Sequence, residues 1–167
     1  MAPKLEPRRH ELVAIIGASE TDDEWNDDLA EAAMEFGRLV GKNGHGIVTG
    51  GLWGVANSAS EGCDAAGGLT MGILPGDEEV YGNAFLDLVV PTGLGEEASN
   101  RLVVLTAKAV IVFPGGKAVF DQAVFAFDAG RPILNLGNAE VSEVLDAIEL
   151  EIDDLDAIEL WIKALFE

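Results

Sequence analysis

Two short stretches carry the residue types needed to hold an anion. In VTGGLWG, residues 48–54, a β-branched run meets Gly50, Gly51 and Gly54, and small residues at helical spacing follow. In VFPGGK, residues 112–117, an apolar run meets Pro114, Gly115 and Gly116, and a second helical pattern opens at Lys117. Glycines without a Cβ let a phosphate approach the backbone, and the unpaired N–H groups at a helix start favour negative charge. Each stretch also suits a plain tight turn, and neither is a G-x-G-x-x-G fingerprint or a P-loop with its lysine. Two such corners at one sheet edge nevertheless point to one site. Gly17 at the end of the first apolar run, Leu52 and Trp53, Thr92 and Gly93 of PTGLG, Asn100 and Arg101, and Lys117, Ala118 and Val119 complete the candidate ligand contacts. Arg101 equally suits an ion pair with Glu97 four residues before it. Lys117 equally suits a solvated first turn, and Trp53 either stacks on a ring or shields the corner.

Other chemistries lack their residues. His10 and His45 stand far apart, and no metal-ligand spacing occurs. Ser58 and Ser60 have no base nearby, so nucleophilic catalysis is unsupported. The single cysteine, Cys63, reads as a small buried hydrophobe of a reducing compartment.

The elements that must position the corners follow from periodicity. Residues 11–17 read as a strand buried on both faces. A capping box at Thr21 and Glu24 opens a helix with Trp25, Leu29, Ala33, Phe36 and Val40 on its apolar face, ended by Gly41, Gly44 and Gly46. Strands at 47–49, 69–74, 86–90, 109–113 and 132–136 alternate with helices at 55–66, 98–107 and 117–129; the last of these strands closes the sheet. Alternation at this spacing predicts an α/β fold, a doubly wound, mainly parallel sheet with helices on both faces, Rossmann-like, with ligands outside the carboxyl ends of the strands. LDAIEL occurs at 145–150 and again at 155–160, and both copies are expected on acidic C-terminal helices. The organisation expected is a flexible leader at 1–10 and one nucleotide-binding domain at 11–167.

Composition narrows the partners. Formal charge is −20 in a chain that is 49% hydrophobic, so the charge must coat a folded surface; it repels nucleic acid and suits a halophilic, cytoplasmic protein. Stability is therefore expected to rise with KCl, and a melting temperature unchanged between low and multimolar KCl would count against the halophilic reading. No membrane-spanning run or signal peptide is visible.

The segments at 48–76, at 91–95 and at 110–133, VIVFPGGKAVFDQAVFAFDAGRPI, resemble the LOG family, the Rossmann-like group also labelled lysine-decarboxylase-like. Within it the chain is most similar to the small nucleotide-binding branch that includes molybdenum-cofactor carrier proteins. The resemblance spans residues 11–137. It implies cleavage of nucleoside monophosphates into base and ribose 5-phosphate, a signature P-G-G-x-G-T-x-x-E, an arginine early in a helix, and a homo-oligomer, dimer or tetramer. Pro114, Gly115 and Gly116 match, but Ala118 and Val119 replace Gly and Thr, Gln122 stands at the glutamate, and Ser99 takes the arginine position if Asn100 aligns. An amide cannot accept and hold a proton as a carboxylate does, so Gln122 leaves no confident catalytic residue. The reading leans towards non-catalytic binding of a phosphate-bearing small molecule, a nucleotide or a molybdopterin-type cofactor, with no other cofactor required. One alternative is a phosphoribohydrolase using Asp121 or Glu61, Asp121 being expected to face away from Gln122. Another is a structural oligomer with a vestigial site.

Overall fold

Strand β1, Leu12–Ile16, is buried along its whole length. Its side chains alternate between two cores, Val13 and Ile15 into one and Leu12, Ala14 and Ile16 into the other, which only a sheet covered on both faces can satisfy. The computed structural model describes residues 11–167, and the expected leader at 1–10 lies outside them. Around β1 run β2 (Gly46–Thr49), β3 (Thr70–Leu74), β4 (Leu88–Pro91), β5 (Ala109–Val112), β6 (Ile133–Asn135) and β7 (Ile148–Glu149). The order is β4-β3-β2-β1-β5-β6-β7 and every pairing is parallel. The doubly wound Rossmann-like expectation holds. The direction of winding reverses between β1 and β5, which opens a crevice at their carboxyl ends.

Helices α1 (Asp27–Lys42), α2 (Val55–Ala65) and α6 (Leu155–Leu165) belong to the first core; α3 (Glu96–Thr106), α4 (Lys117–Asp128) and α5 (Ala139–Val144) belong to the second. The expected capping box at Thr21 does not form. Asn26 caps α1 instead, its side chain accepting from the Leu29 N–H at 2.8 Å, and Trp25 packs on the core before the helix begins. Gly41 lies inside α1 rather than ending it. The reason is packing: a Cβ on Gly41 would stand 2.7 Å from the Cys63 carbonyl of α2, and one on Gly37 or Gly62 would collide with the Ala59 or Met34 carbonyl. Small residues let these two helices touch backbone to backbone.

The LDAIEL repeat splits. The second copy is helical, opened by Asp154, whose carboxylate accepts from the Ala157 N–H at 3.1 Å, and it buries Ile158. The first copy supplies β7 instead of a helix, and so extends the sheet by one strand beyond the expected last one. Buried Asn135 at the end of β6 donates to the Glu149 carboxylate at 3.0 Å, Ser142 donates to it at 2.9 Å, and the Leu150 N–H donates to the Asn135 carbonyl at 3.3 Å. Edge pairing overrides helical propensity where an open strand is within reach.

Below the sheet His45 stacks on Phe166, ring centres 3.6 Å apart. Burial holds its imidazole below the ordinary value of 6.5, with Lys108 acting in the same direction and Glu11 opposing. The neutral ring is favoured in the folded chain, so below pH 6.5 the unfolded chain binds more protons and stability falls with pH. His45→Gln is therefore expected to lose less stability than the native chain between about pH 7 and 5, read by urea unfolding; equal losses would remove His45 from the account. Cys63 is fully buried and burial pushes its thiol up to about 12, which makes it inert and structural.

Candidate functional site

A cavity of about 130 Å³ opens at the winding reversal, lined by Ile15, Ile16 and Gly17 of β1 and its end, Gly50, Leu52, Trp53 and Ala56 of the first corner, Pro75, and Glu96, Asn100 and Gln122. Beyond it a groove of about 420 Å³ lies between α3 and α4, lined by Glu96, Glu97, Asn100, Arg101, Ala118, Asp121, Gln122 and Phe125. Glu96, Asn100 and Gln122 belong to both, so the two spaces join. Of the candidates read from sequence, Gly17, Gly50, Leu52, Trp53, Asn100, Arg101, Ala118 and Gln122 come together here.

The first corner is built by division of labour. Gly51 (φ +76°) turns its N–H to the Thr49 hydroxyl at 3.0 Å and gives its carbonyl to the Asn83 N–H at 2.8 Å. Its N–H is thus not free for a phosphate. Gly54 (φ +81°) lies against the Ala18 carbonyl, where a Cβ would collide, and that carbonyl accepts from the Val55 N–H at 2.9 Å. Gly50 is different: a Cβ there would meet nothing within 4 Å. Among the described residues the N–H groups of Gly50, Leu52 and Trp53 have no protein acceptor. Unpaired backbone donors of this kind are what an anion site requires.

The second corner serves packing more than the cavity. A Cβ on Gly115 would stand 2.5 Å from Val119 and 2.9 Å from the Ala18 nitrogen; Val119 is itself core. Gly116 opens α4 with the Asp22 carboxylate beside it, since a Cβ there would lie 3.4 Å from Oδ1. Neither glycine lines the cavity. Lys117 points to solvent and is joined to Asp121 at 2.7 Å, a hydrogen bond that raises its pKa. Arg101 pairs with Glu97 at 3.0 Å and lies over the Phe125 ring at 5.1 Å. Both cations are therefore paired on the protein surface, as their four-residue spacings allow. Thr92 and Gly93 hold the turn: the Thr92 hydroxyl donates to the Leu74 carbonyl at 2.7 Å, and the Gly93 N–H to Gly76 at 2.8 Å. Ser99 is buried and donates back to the Glu96 carbonyl at 3.1 Å.

Asp121 departs from expectation. Although one residue rotates a side chain by about 100° on a helix, the groove is wide enough for Asp121 and Gln122 to line it together. Glu61 lies on α2, outside both spaces. Reasoning from sequence missed Ala56, Pro75 and Glu96; the signal for Glu96 is its place directly after Gly95, where α3 begins.

A model of the SLOG cluster4 family matches residues 10–158 of the chain. An uncharacterized protein of Archaeoglobus fulgidus is 30% identical over 137 residues, covering 82% of this chain and 87% of the relative. The molybdenum cofactor binding protein of the phototrophic bacterium Rippkaea orientalis superposes with a TM-score of 0.81 at 26% identity, over 96% of this chain and 100% of that one. The molybdenum cofactor carrier protein of Chlamydomonas reinhardtii does so with a TM-score of 0.77 at 23% identity, over 93% and 99%.

Proposed function

The chain belongs to the SLOG cluster4 family, and from that premise we propose that it binds, without cleaving, a phosphate-bearing heterocyclic small molecule, a nucleotide or a molybdopterin-type cofactor. The observation that carries this reading is the set of unpaired N–H groups of Gly50, Leu52 and Trp53 in a cavity at the winding reversal. They take the phosphate, and the wider groove between α3 and α4 takes the ring. A pterin fits that division: Asn100 and Gln122 offer amide donors and acceptors to its edge, and Trp53 offers an aromatic face at the corner. Among the described residues no three His, Cys, Asp or Glu side chains are grouped to hold a metal. A molybdenum centre would accordingly be held through the pterin that carries it, and the chemistry such a cofactor supplies would be that of the metal.

Gln122 supports binding over cleavage, because general catalysis needs a group that can exchange a proton. Asp121 in the groove favours a second reading, an unorthodox phosphoribohydrolase, but its carboxylate is tied to Lys117. The test is to incubate the chain with AMP, GMP, CMP or a pterin phosphate in concentrated KCl, pass it through a size filter and quantify ligand and free base. Intact ligand retained with the protein is the expected result. Free base in the filtrate would establish the hydrolase, and retention of none of them would leave a structural protein with a vestigial site.

A homo-oligomer also belongs to this proposal. Leu102 and Leu105 on α3 and Phe127 on α4 are exposed, apolar side chains that a second copy would cover. The mass in high salt decides, and a monomer would sink it. Among the described residues no helix is long and apolar enough to cross a membrane.

A further inference from the structure

Three carboxylates line the groove between α3 and α4, and their situations differ. Glu97 is paired with Arg101 at 3.0 Å and Asp121 with Lys117 at 2.7 Å. Glu96 has no ion-pair or side-chain hydrogen-bond partner among the described residues, and it alone of the three also lines the inner cavity. Its backbone is anchored: Gly95, with φ +85°, caps α3 and donates to the Pro75 carbonyl at 3.0 Å, while the Ser99 hydroxyl donates to the Glu96 carbonyl at 3.1 Å. The turn thus holds Glu96 where the phosphate cavity passes into the ring groove, with the amides of Asn100 and Gln122 beside it.

We propose that Glu96 reads the ligand's ring, selecting heterocycles with an amino group beside a ring N–H, the 2-aminopyrimidinone edge shared by guanine and pterin. A carboxylate only accepts hydrogen bonds, and its two oxygens match two parallel N–H donors. Asn100 and Gln122 can donate to the carbonyl and ring nitrogen that such an edge leaves. A ring with a carbonyl or a bare C–H in place of the amino group loses one charge-assisted bond, and a carbonyl sets oxygen against oxygen. The same negative charge repels phosphate, which keeps that end of the ligand at Gly50, Leu52 and Trp53. The inference rests on the binding reading above and adds to it the class of ring.

GMP and IMP differ only in the 2-amino group, and neopterin monophosphate and the corresponding lumazine differ at the same place by an amino group against a carbonyl. Titration calorimetry of the native chain is expected to show GMP at least about tenfold tighter than IMP, the value of one good hydrogen bond to a charged group. The pterin is expected to exceed the lumazine in the same way, and whichever of GMP and the pterin binds tighter identifies the source of the edge. In Glu96→Gln, with an unchanged melting temperature, GMP and the pterin should lose more affinity than IMP and the lumazine, so that both preferences shrink to within about threefold. Equal affinity of the native chain for both members of each pair overturns the role of Glu96, as does a preference that survives in Glu96→Gln. If none of the four binds while AMP or CMP is retained, the inference fails and the binding reading stands; if AMP and CMP are not retained either, both fail.

Discussion

Gly62→Ala is expected to destabilise the chain by about 3 kcal/mol or more, enough to remove much of the stability of a domain this size. In an isolated helix the same change would stabilise by roughly 1 kcal/mol, because alanine has the higher helical propensity. The sign reverses here because α2 presents Gly62 to the backbone of α1. A Cβ would collide with the Met34 carbonyl and stand 3.0 Å from the Arg38 nitrogen, and neither is the end of a flexible side chain. The helices must separate, and the contacts of Phe36, Val40, Ala59 and Cys63 in the core they share loosen with them. Gly37, facing Ala59 from the opposite helix, should behave alike. Because both changes relieve themselves by the same separation, the double variant should lose less than the sum of the two. Urea unfolding of the single and double variants measures this, and a loss under about 1 kcal/mol for Gly62→Ala would mean that the helices are not packed through these glycines.

Gly50→Leu should lower ligand affinity by at least about a hundredfold while stability stays within roughly 1 kcal/mol of native. Gly50 lines the inner cavity, a Cβ there would meet nothing within 4 Å, and its φ is not positive, so a leucine enters without backbone strain and fills the space proposed for the ligand. Gly54→Ala is the contrast. With φ +81° and the Ala18 carbonyl against it, that variant should lose stability as well as binding. Retention of ligand on the size filter, read beside a thermal melt, separates the two kinds of glycine. Undiminished retention in Gly50→Leu would move the ligand out of the cavity.

These contrasts show how far the residue pattern reached. Both glycine corners were legible because a β-branched run, glycines and then small residues at helical spacing is a local signal. Which glycine serves a ligand was not: Gly50, Gly51 and Gly54 look alike in sequence, and their roles differ through Thr49, Asn83 and Ala18. Arg101 was legible both as an anion ligand and as a partner of Glu97, and that ion pair forms; Lys117 was legible as an anion ligand or as a solvated first-turn lysine, and its pair with Asp121 appeared only in the structure. Glu96 passed unnoticed, since an acidic first turn is ordinary at a helix start and only the junction of two cavities sets it apart.

By itself the sequence determined the alternation of strands and helices as far as β6 and a sheet buried on both faces, and it marked the sheet edge proposed for the ligand, because hydrophobic period and glycine placement act within a few residues of chain. The tertiary structure decided what depends on neighbours distant in sequence. One LDAIEL copy became a strand because Asn135 and Ser142 hold Glu149, and its twin became a helix under Asp154. Asn26 rather than Thr21 capped α1, and Gly41 stayed inside it against Cys63. Hydrogen-bond partners and close backbone approach are properties of the assembled fold, and they override local propensities that differ by about 1 kcal/mol or less.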